Sequence, residues 1–196
     1  MKELQRICVF CGSSSGSDPA FVQAAKATGR TLAKMGVGLV FGGGNIGLMG
    51  VVADAALELG GEVIGVIPKS LEGKELAHRG LLDLRVVASM HERKALMADL
   101  ADGFIALPGG FGTIEEISEI LTWAQLGLHR KPIGVLNVSG YFNHLIAWYD
   151  HAVSQRLLSV ENRGLALIDV EINALLKQMV SFRAPPAEKW LDRVER

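Results

Sequence analysis

The length, composition and charge of the chain fit one globular domain and exclude several other classes of protein. It has 196 residues, of which 49% are hydrophobic and 21% are charged, and its formal net charge is -1. The balanced charge predicts no nucleic acid polymer and no anionic membrane as a partner. The chain has no apolar run of the roughly 18 residues that a membrane span needs, and its first residues are too briefly apolar for a signal peptide, so we expect a cytoplasmic protein.

Short apolar runs alternate with longer amphipathic segments from one end of the chain to the other. Strands are predicted at residues 7–10, 37–41, 62–67, 84–87, 104–107, 133–136 and 165–168. Helices are predicted at residues 18–35, 46–59, 89–101, 112–126, 141–155 and 170–180. This alternation predicts the α/β class, with a single Rossmann-like, doubly wound parallel sheet and helices on both faces. Residues 1–183 would form this one domain, and residues 184–196 a carboxyl-terminal tail.

Two cysteines, Cys8 and Cys11, form a C-x-x-C motif in the first predicted strand. A redox pair works at a helix amino terminus, where the dipole lowers the thiol pKa, whereas side chains three apart on a strand face opposite sides of the sheet. A zinc site would need a second pair of ligands at a defined spacing, and the sequence has none. We therefore interpret the two cysteines as buried hydrophobic residues and predict no metal site.

Four segments follow predicted strands at the edge where a doubly wound sheet binds ligands. These are residues 12–16, 42–47, 68–82 and 108–113, and three of them are rich in glycine or small polar residues. We expect the binding site to be built from these segments.

The segment GGGNIG, residues 42–47, matches the G-x-G-x-x-G pattern of dinucleotide-binding proteins. That fingerprint also requires an acidic residue at the end of the next strand. The next predicted strand ends at Ile67 without one, and Glu62 begins that strand, at the opposite edge of the sheet. Close packing of a helix on a strand is a simpler alternative. We favour a loop in which Gly43 and Gly44 bring the backbone close to part of a smaller nucleotide.

The segment LPGGFGTIEE, residues 107–116, carries the strongest chemical signal. An apolar strand stops at a proline, three glycines follow within four residues, and a helix begins. Such a loop leaves the amino-terminal N–H groups of the helix uncovered, and with the helix dipole they form an anion site that suits phosphate. Thr113 can add a hydroxyl donor. The segment lacks the Gly-Lys-Ser/Thr ending of the loops that handle ATP and magnesium.

Glu116 lies three residues beyond Thr113, on the helix face that follows the loop. Hydrolysis of a glycosidic bond passes through a sugar with oxocarbenium character. A carboxylate near the anomeric carbon can stabilise that charge or deprotonate the attacking water, and the sequence leaves both roles open. Glu115, in contrast, fits an ordinary acidic residue of a first helical turn.

A second cluster, SMHERK at residues 89–94, opens the preceding helix. Two adjacent cations, Arg93 and Lys94, are unfavourable near a helix start, which suggests a functional reason, although a solvated surface pair is the alternative. Arg93 offers a rigid fork of donors for phosphate, ribose hydroxyls or a leaving base. His91 is a candidate general acid, and a surface histidine is the simpler interpretation.

These two clusters together resemble the Lonely guy (LOG) family of cytokinin riboside 5′-monophosphate phosphoribohydrolases, some of which also act on AMP. The resemblance rests on Met90-His91-x-Arg93-Lys94 and on PGGxGTxxE at residues 108–116. It extends from the segment CVFCGSS, residues 8–14, through residues 42–50 to TWAQLG at residues 122–127.

The resemblance implies a hydrolase that releases a free base and ribose 5-phosphate without a metal or organic cofactor. It implies Arg93 and Glu116 as the catalytic pair, and a homodimer with the site near the subunit interface. The residues that we expect to bind the nucleoside 5′-monophosphate are Ser14, Gly43, Gly44, Glu75, Arg93, Lys94, Gly110, Phe111, Gly112, Thr113, Ile114, Glu115, Glu116 and Thr122.

Three other functions compete with this interpretation. A non-catalytic nucleotide or cofactor carrier would keep the glycine loops and make Glu116 dispensable. A dinucleotide-dependent oxidoreductase would bind NAD. A lysine decarboxylase, an older label for relatives, would need pyridoxal phosphate and a lysine that forms a Schiff base, and nothing in the sequence indicates one.

Overall fold

The computed structural model describes residues 4–72 and 77–185, and it has the predicted α/β architecture. The strands are β1 Arg6–Phe10, β2 Gly38–Phe41, β3 Val63–Pro68, β4 Asp83–Val87, β5 Gly103–Ala106, β6 Ile133–Leu136 and β7 Ala166–Asp169. The helices are α1 Pro19–Lys34, α2 Gly47–Leu57, α3 Lys69–Leu71, α4 Met90–Leu100, α5 Phe111–Gln125, α6 Asn143–Ser154, α7 Val160–Arg163 and α8 Ile172–Ser181. No helix among the described residues is long and apolar enough to cross a membrane.

All seven strands are parallel, in the order β4-β3-β2-β1-β5-β6-β7. The chain winds outward from β1 to β4 and then returns to the other side of β1, so the winding direction reverses between β1 and β5. In sheets of this kind the crevice beyond the carboxyl ends of the two central strands is the usual ligand site. The loops after β1, β2 and β5 therefore meet at the place where the sequence predicts binding.

The helices cover both faces of the sheet. On one face, α1, α2 and α8 contribute buried side chains such as Leu32, Val52 and Leu175. On the other face, α4 and α5 contribute Met97 and Ile117. The sheet is covered on both faces, as expected for continuous apolar strands. The doubly wound fold predicted from the sequence is confirmed.

The two cysteines lie on opposite faces of the sheet. Cys11 packs with the α1 and α2 side, and Cys8 packs with the α4 and α5 side. Both are free and buried, and burial is the main cause that raises the pKa of each thiol. They pack as small hydrophobic side chains, as the strand pattern predicts.

Three local features differ from the predicted elements. Lys69–Leu71 forms a single helical turn within the predicted loop, and α7 was not predicted. Helix α6 begins at Asn143, because the preceding residues Val138–Gly140 form a 3-10 turn in which Ser139 has a φ of 51°. Residues 186–196 lie outside the described part of the chain, so the boundary between domain and tail stays a prediction.

Candidate active site

Backbone hydrogen bonds join the loops that line the crevice. The N–H of Gly12, after β1, donates to the carbonyl of Pro108, after β5, at 3.0 Å. The N–H of Leu48, in the first turn of α2, donates to the carbonyl of Gly12, also at 3.0 Å. A Cβ on Gly47 would collide with the backbone of Ser13 and Ser14, so glycine lets these two loops lie in direct contact.

The loop after β5 forms an open cradle at the amino terminus of α5. Gly110 and Gly112 are exposed, and a Cβ on either residue would meet no atom of another segment within 4 Å. Thr113 is buried below the loop, with its hydroxyl against the position that a Cβ on Gly109 would occupy. The first N–H groups of a helix have no partner within the helix. The cradle therefore has free space in front of backbone donors, as an anion site requires.

Arg93 of α4 and Glu116 of α5 form a buried pair beside this cradle. Arg93 Nη1 donates to Glu116 Oε1 at 3.2 Å, and each side chain is only 11% exposed. Arg93 Nε also donates to the carbonyl of Val66 at 3.1 Å. A Cβ on Gly42 would collide with the Arg93 guanidinium, so this glycine leaves room for the arginine.

Glu116 carries an electrostatic signature that is common at active sites. Burial is the largest influence and raises the pKa of its carboxyl above the ordinary value of 4.5, whereas the Arg93 guanidinium acts in the opposite direction. A buried carboxylate at the wall of a crevice, with one charged partner, is poised for proton transfer or for stabilising a cation.

Lys94, like Arg93, extends from α4 to α5, but it contacts different carboxylates there. Its Nζ contacts Glu115 Oε1 at 2.5 Å and Glu119 Oε2 at 3.0 Å. Burial alone would lower the pKa of Lys94, but the hydrogen bonds to Glu115 and Glu119 raise it overall. The two adjacent cations of α4 thus bind three carboxylates of α5.

The remaining predicted site residues differ in how exposed they are to solvent. Phe111 and Ser14 are exposed at the rim of the crevice, and Ile114 is half-buried in α5. Gly43 and Gly44 are buried against protein: the Gly43 carbonyl accepts a hydrogen bond from the His78 N–H at 2.9 Å, and Gly44 forms a β-bridge with Ala77. His91 is exposed on the first turn of α4.

Two predicted residues are not found at the crevice for different reasons: one is undescribed, and the other lies elsewhere on α5. Glu75 lies outside the described residues. Thr122 is six residues beyond Glu116 on α5, about 9 Å along the helix axis, and its hydroxyl donates to the Ser118 carbonyl. It borders a cavity of about 310 Å³ between α5 and α6, which is also lined by Trp148 and Leu157.

Sequence reasoning missed Tyr141, whose hydroxyl donates to the carbonyl of Gly109 in the cradle at 2.6 Å. This residue follows β6, the neighbour of β5 in the sheet. The rule that ligands bind beyond the carboxyl ends of strands applies to that segment too, and it could have identified the region.

Comparison with known proteins agrees with the motif resemblance. Residues 49–179 match a family model described as "Possible lysine decarboxylase". The chain is 47% identical over 178 residues to cytokinin riboside 5′-monophosphate phosphoribohydrolase LOG7 of Arabidopsis thaliana, covering 91% of this chain and 82% of LOG7. It is 48% identical over 177 residues to LOG4 of the same plant, covering 90% and 82%.

The chain belongs to the LOG family. Among solved structures, the molybdenum cofactor carrier protein of Chlamydomonas reinhardtii matches it with a TM-score of 0.70 over 92% of this chain and all of that one. The identity there is 21%, so this likeness shows that the LOG fold is shared and nothing more.

Lys94, the lysine beside Arg93 at the LOG crevice, does not fit the description of the family model. Decarboxylation with pyridoxal phosphate uses a lysine that gives up its proton to form a Schiff base. Lys94 lies between Glu115 and Glu119, and its pKa is raised rather than lowered. It is therefore held in the ionised form that cannot attack an aldehyde.

Proposed function

We propose that this chain hydrolyses the N-glycosidic bond of purine nucleoside 5′-monophosphates, either cytokinin riboside 5′-monophosphates or AMP, and releases the free base and ribose 5-phosphate. The buried pair of Arg93 and Glu116 beside an open anion cradle carries this proposal. The names of relatives at 47% and 48% identity support the same reaction and the same substrate class.

In this proposal the phosphate binds at the amino terminus of α5. The backbone N–H groups of residues 110–113 and the helix dipole attract the doubly charged monoester. This binding energy lies far from the reacting carbon, so it can be used to position the glycosidic bond. A nucleoside that lacks the phosphate should therefore be a poor substrate.

Glu116 would act on the ribose, one turn of α5 beyond the cradle. The bond between C1′ and the base nitrogen breaks, the base leaves with the electron pair and takes up a proton from solvent, and a water oxygen forms the new bond to C1′. The carboxylate stabilises the positive charge on the sugar or accepts the proton of that water, and both roles need its ionised form. Arg93 opposes the effect of burial and orients the carboxylate through the 3.2 Å hydrogen bond.

Product analysis tests this function. The protein is incubated with AMP, with an N6-prenylated adenosine monophosphate and with adenosine, and the liberated base is measured by chromatography. We expect base from at least one monophosphate and little from adenosine. Equal turnover of adenosine and AMP would contradict the phosphate cradle, and tight stoichiometric binding of nucleotide without any base would favour a carrier.

We also propose that the chain works as a homodimer. Trp148 and Leu157 are 61% and 84% exposed beside the cavity between α5 and α6, and large exposed apolar side chains of this kind are typical of interfaces. A second copy on this surface would also place Thr122 at the subunit interface, where its predicted contact would be with the nucleotide bound by the partner subunit. Light scattering should give twice the chain mass of 21.0 kDa. Trp148→Glu places a charge in the proposed interface, so this variant should have the mass of a monomer. A monomeric wild type would contradict the dimer.

The other substrate contacts proposed from the sequence, including those of Glu75, Gly43 and Gly44, stay predictions. The cytoplasmic location and the lack of a nucleic acid partner also stay predictions.

A further inference from the structure

Tyr141 occupies an unusual place for an exposed tyrosine, because its hydroxyl is committed to the backbone of the cradle. The hydroxyl donates to the Gly109 carbonyl at 2.6 Å, although the residue is 42% exposed and water is available to it. Its ring packs edge-on against Phe21 at 5.3 Å and against Phe142 at 5.0 Å. The side chain is therefore fixed at both its ring and its hydroxyl.

The segment that carries Tyr141 is also held rigidly. The side chain of Asn137 accepts from the Phe142 N–H at 2.8 Å and donates to Asn143 Oδ1 at 2.8 Å. Within this turn Ser139 has a φ of 51°, a left-handed conformation that a non-glycine residue rarely adopts. Such local strain persists only where the surroundings impose it. The fold thus directs Tyr141 at the cradle instead of leaving it on a mobile loop.

The direction of the Gly109 carbonyl determines the direction of the next N–H. In a trans peptide the C=O of one residue and the N–H of the following residue point in opposite directions. While Tyr141 holds the Gly109 carbonyl, the N–H of Gly110 points away from it. The same holds one residue earlier, since the Gly12 N–H holds the Pro108 carbonyl at 3.0 Å. Two successive peptides of the cradle therefore have their carbonyls engaged on the protein side.

Glycine makes this restraint necessary. The peptide between Gly109 and Gly110 has no Cβ on either side, so its rotation meets little steric resistance. A rotated peptide would turn a carbonyl oxygen, which carries partial negative charge, towards the bound anion and would withdraw one donor. An anion site made of backbone N–H groups needs those groups to be preorganised.

We propose that Tyr141 is a positioning residue that sets the phosphate affinity of this enzyme by locking the Gly109–Gly110 peptide with its N–H directed to the anion. This inference rests on the proposed function for the identity of the anion, a sugar 5-phosphate. It predicts an effect on the phosphate part of the substrate and none on the base.

The test compares Tyr141→Phe with Tyr149→Phe, the same change at the other tyrosine of the chain. Tyr141→Phe keeps the aromatic ring and its contacts and removes only the hydroxyl. Tyr149 is a matched control, because its buried hydroxyl has no hydrogen-bond partner among the described residues. The dissociation constants of ribose 5-phosphate and of adenine are measured by calorimetry, together with KM and kcat for the monophosphate.

We expect Tyr141→Phe to weaken ribose 5-phosphate binding and raise KM by roughly threefold to tenfold, the range for one lost neutral hydrogen bond. Adenine binding and kcat should change by less than about twofold, because the lost interaction acts equally in the ground and transition states. Tyr149→Phe should change none of these constants. Unchanged ribose 5-phosphate binding in Tyr141→Phe would overturn the proposal, and so would an equal loss of adenine binding, which would indicate general damage to the site.

The two hypotheses fail separately. If the wild type releases no base but Tyr141→Phe still weakens ribose 5-phosphate binding, then the hydrolase is wrong and the positioning role of Tyr141 stands.

Discussion

Glycine residues at the crevice serve two different purposes, and the space around each one distinguishes them. Gly42 and Gly47 are glycines because a Cβ would collide with the Arg93 guanidinium or with the backbone of the loop after β1. Gly110 and Gly112 have open space where a Cβ would be. Packing explains the first two, whereas access for a ligand is the better explanation for the second two.

Gly112→Ala should separate binding from stability. The new methyl group meets no atom of another segment within 4 Å, and alanine favours a helical position over glycine, so the free energy of unfolding should rise by about 0.5–1 kcal/mol. The methyl group would occupy the space in front of the cradle, so KM for the monophosphate should rise roughly tenfold, or about 1.4 kcal/mol.

Gly36→Ala is the control for this change. Gly36 also has open space around it, but its φ is 68° and it follows α1, at the opposite edge of the sheet. This variant should lose stability and keep its KM. A Gly112→Ala enzyme with unchanged KM would show that substrate does not approach that part of α5.

The pKa of Glu116 links the stability of the protein to pH. Because burial raises this pKa, native Glu116 keeps its proton at pH values where the unfolded chain has released it. The free energy of unfolding therefore falls as the pH rises from about 4.5 through the raised native pKa. The glutamine side chain of Glu116→Gln is neutral over this whole pH range, so the variant does not lose stability in this way.

Melting temperatures measured from pH 4 to pH 7 test this linkage. The Gln variant should be at least as stable as the wild type at pH 7, and this difference should shrink towards pH 4. The opposite result would be a Gln variant whose stability, compared with that of the wild type, decreases from pH 4 to pH 7. It would show that the ion pair with Arg93 outweighs the cost of burying the charged carboxylate.

Helices α4 and α5 are joined at their surfaces by Lys94, which contacts Glu115 and Glu119. Its side chain is 15% exposed, and those of its partners 56% and 27%. Lys94→Gln should therefore lower the free energy of unfolding by about 1–2 kcal/mol, between the values for exposed and fully buried pairs.

Urea denaturation measures this effect, with Arg30→Gln as the control. Arg30 pairs with Glu58 at the surface, and both side chains are about half exposed, so that change should cost less than about 0.5 kcal/mol. Equal losses in the two variants would mean that Lys94 does not hold the two helices together.

The pairing between these helices also marks the limit of what the sequence could predict. The pattern of residues 89–94 and 108–116 indicated two clusters at the starts of two helices, and the parallel sheet placed both at one edge. It could not assign partners, because Arg93 and Lys94 are neighbours that pair with different carboxylates. That assignment depends on the relative rotation of α4 and α5, which no local pattern encodes.

At the scale of the whole molecule, the strand order is the feature that creates the site. The alternation of strands and helices was sufficient to predict a doubly wound sheet, since parallel strands need helical crossovers. The position of the reversal between β1 and β5 was not predictable from that alternation alone. It joins Gly12 and Pro108, which are far apart in the chain, by a hydrogen bond.

Tyr141 shows the same limit over a longer range. It lies 32 residues beyond Gly109, and its segment, NVSGYFN at residues 137–143, has one glycine and no charged residue to mark a site in the sequence. Only the neighbouring positions of β5 and β6 bring its hydroxyl to the cradle.

The most direct test of the account measures binding and turnover of AMP in the wild type and in Glu116→Gln, with Glu115→Gln as the neighbouring control. Glu116→Gln should bind AMP within about threefold of the wild type and release adenine at least roughly 100-fold more slowly, the scale of a lost catalytic carboxylate. Glu115→Gln should retain most of its turnover. Rapid release of adenine by Glu116→Gln would contradict the central claim.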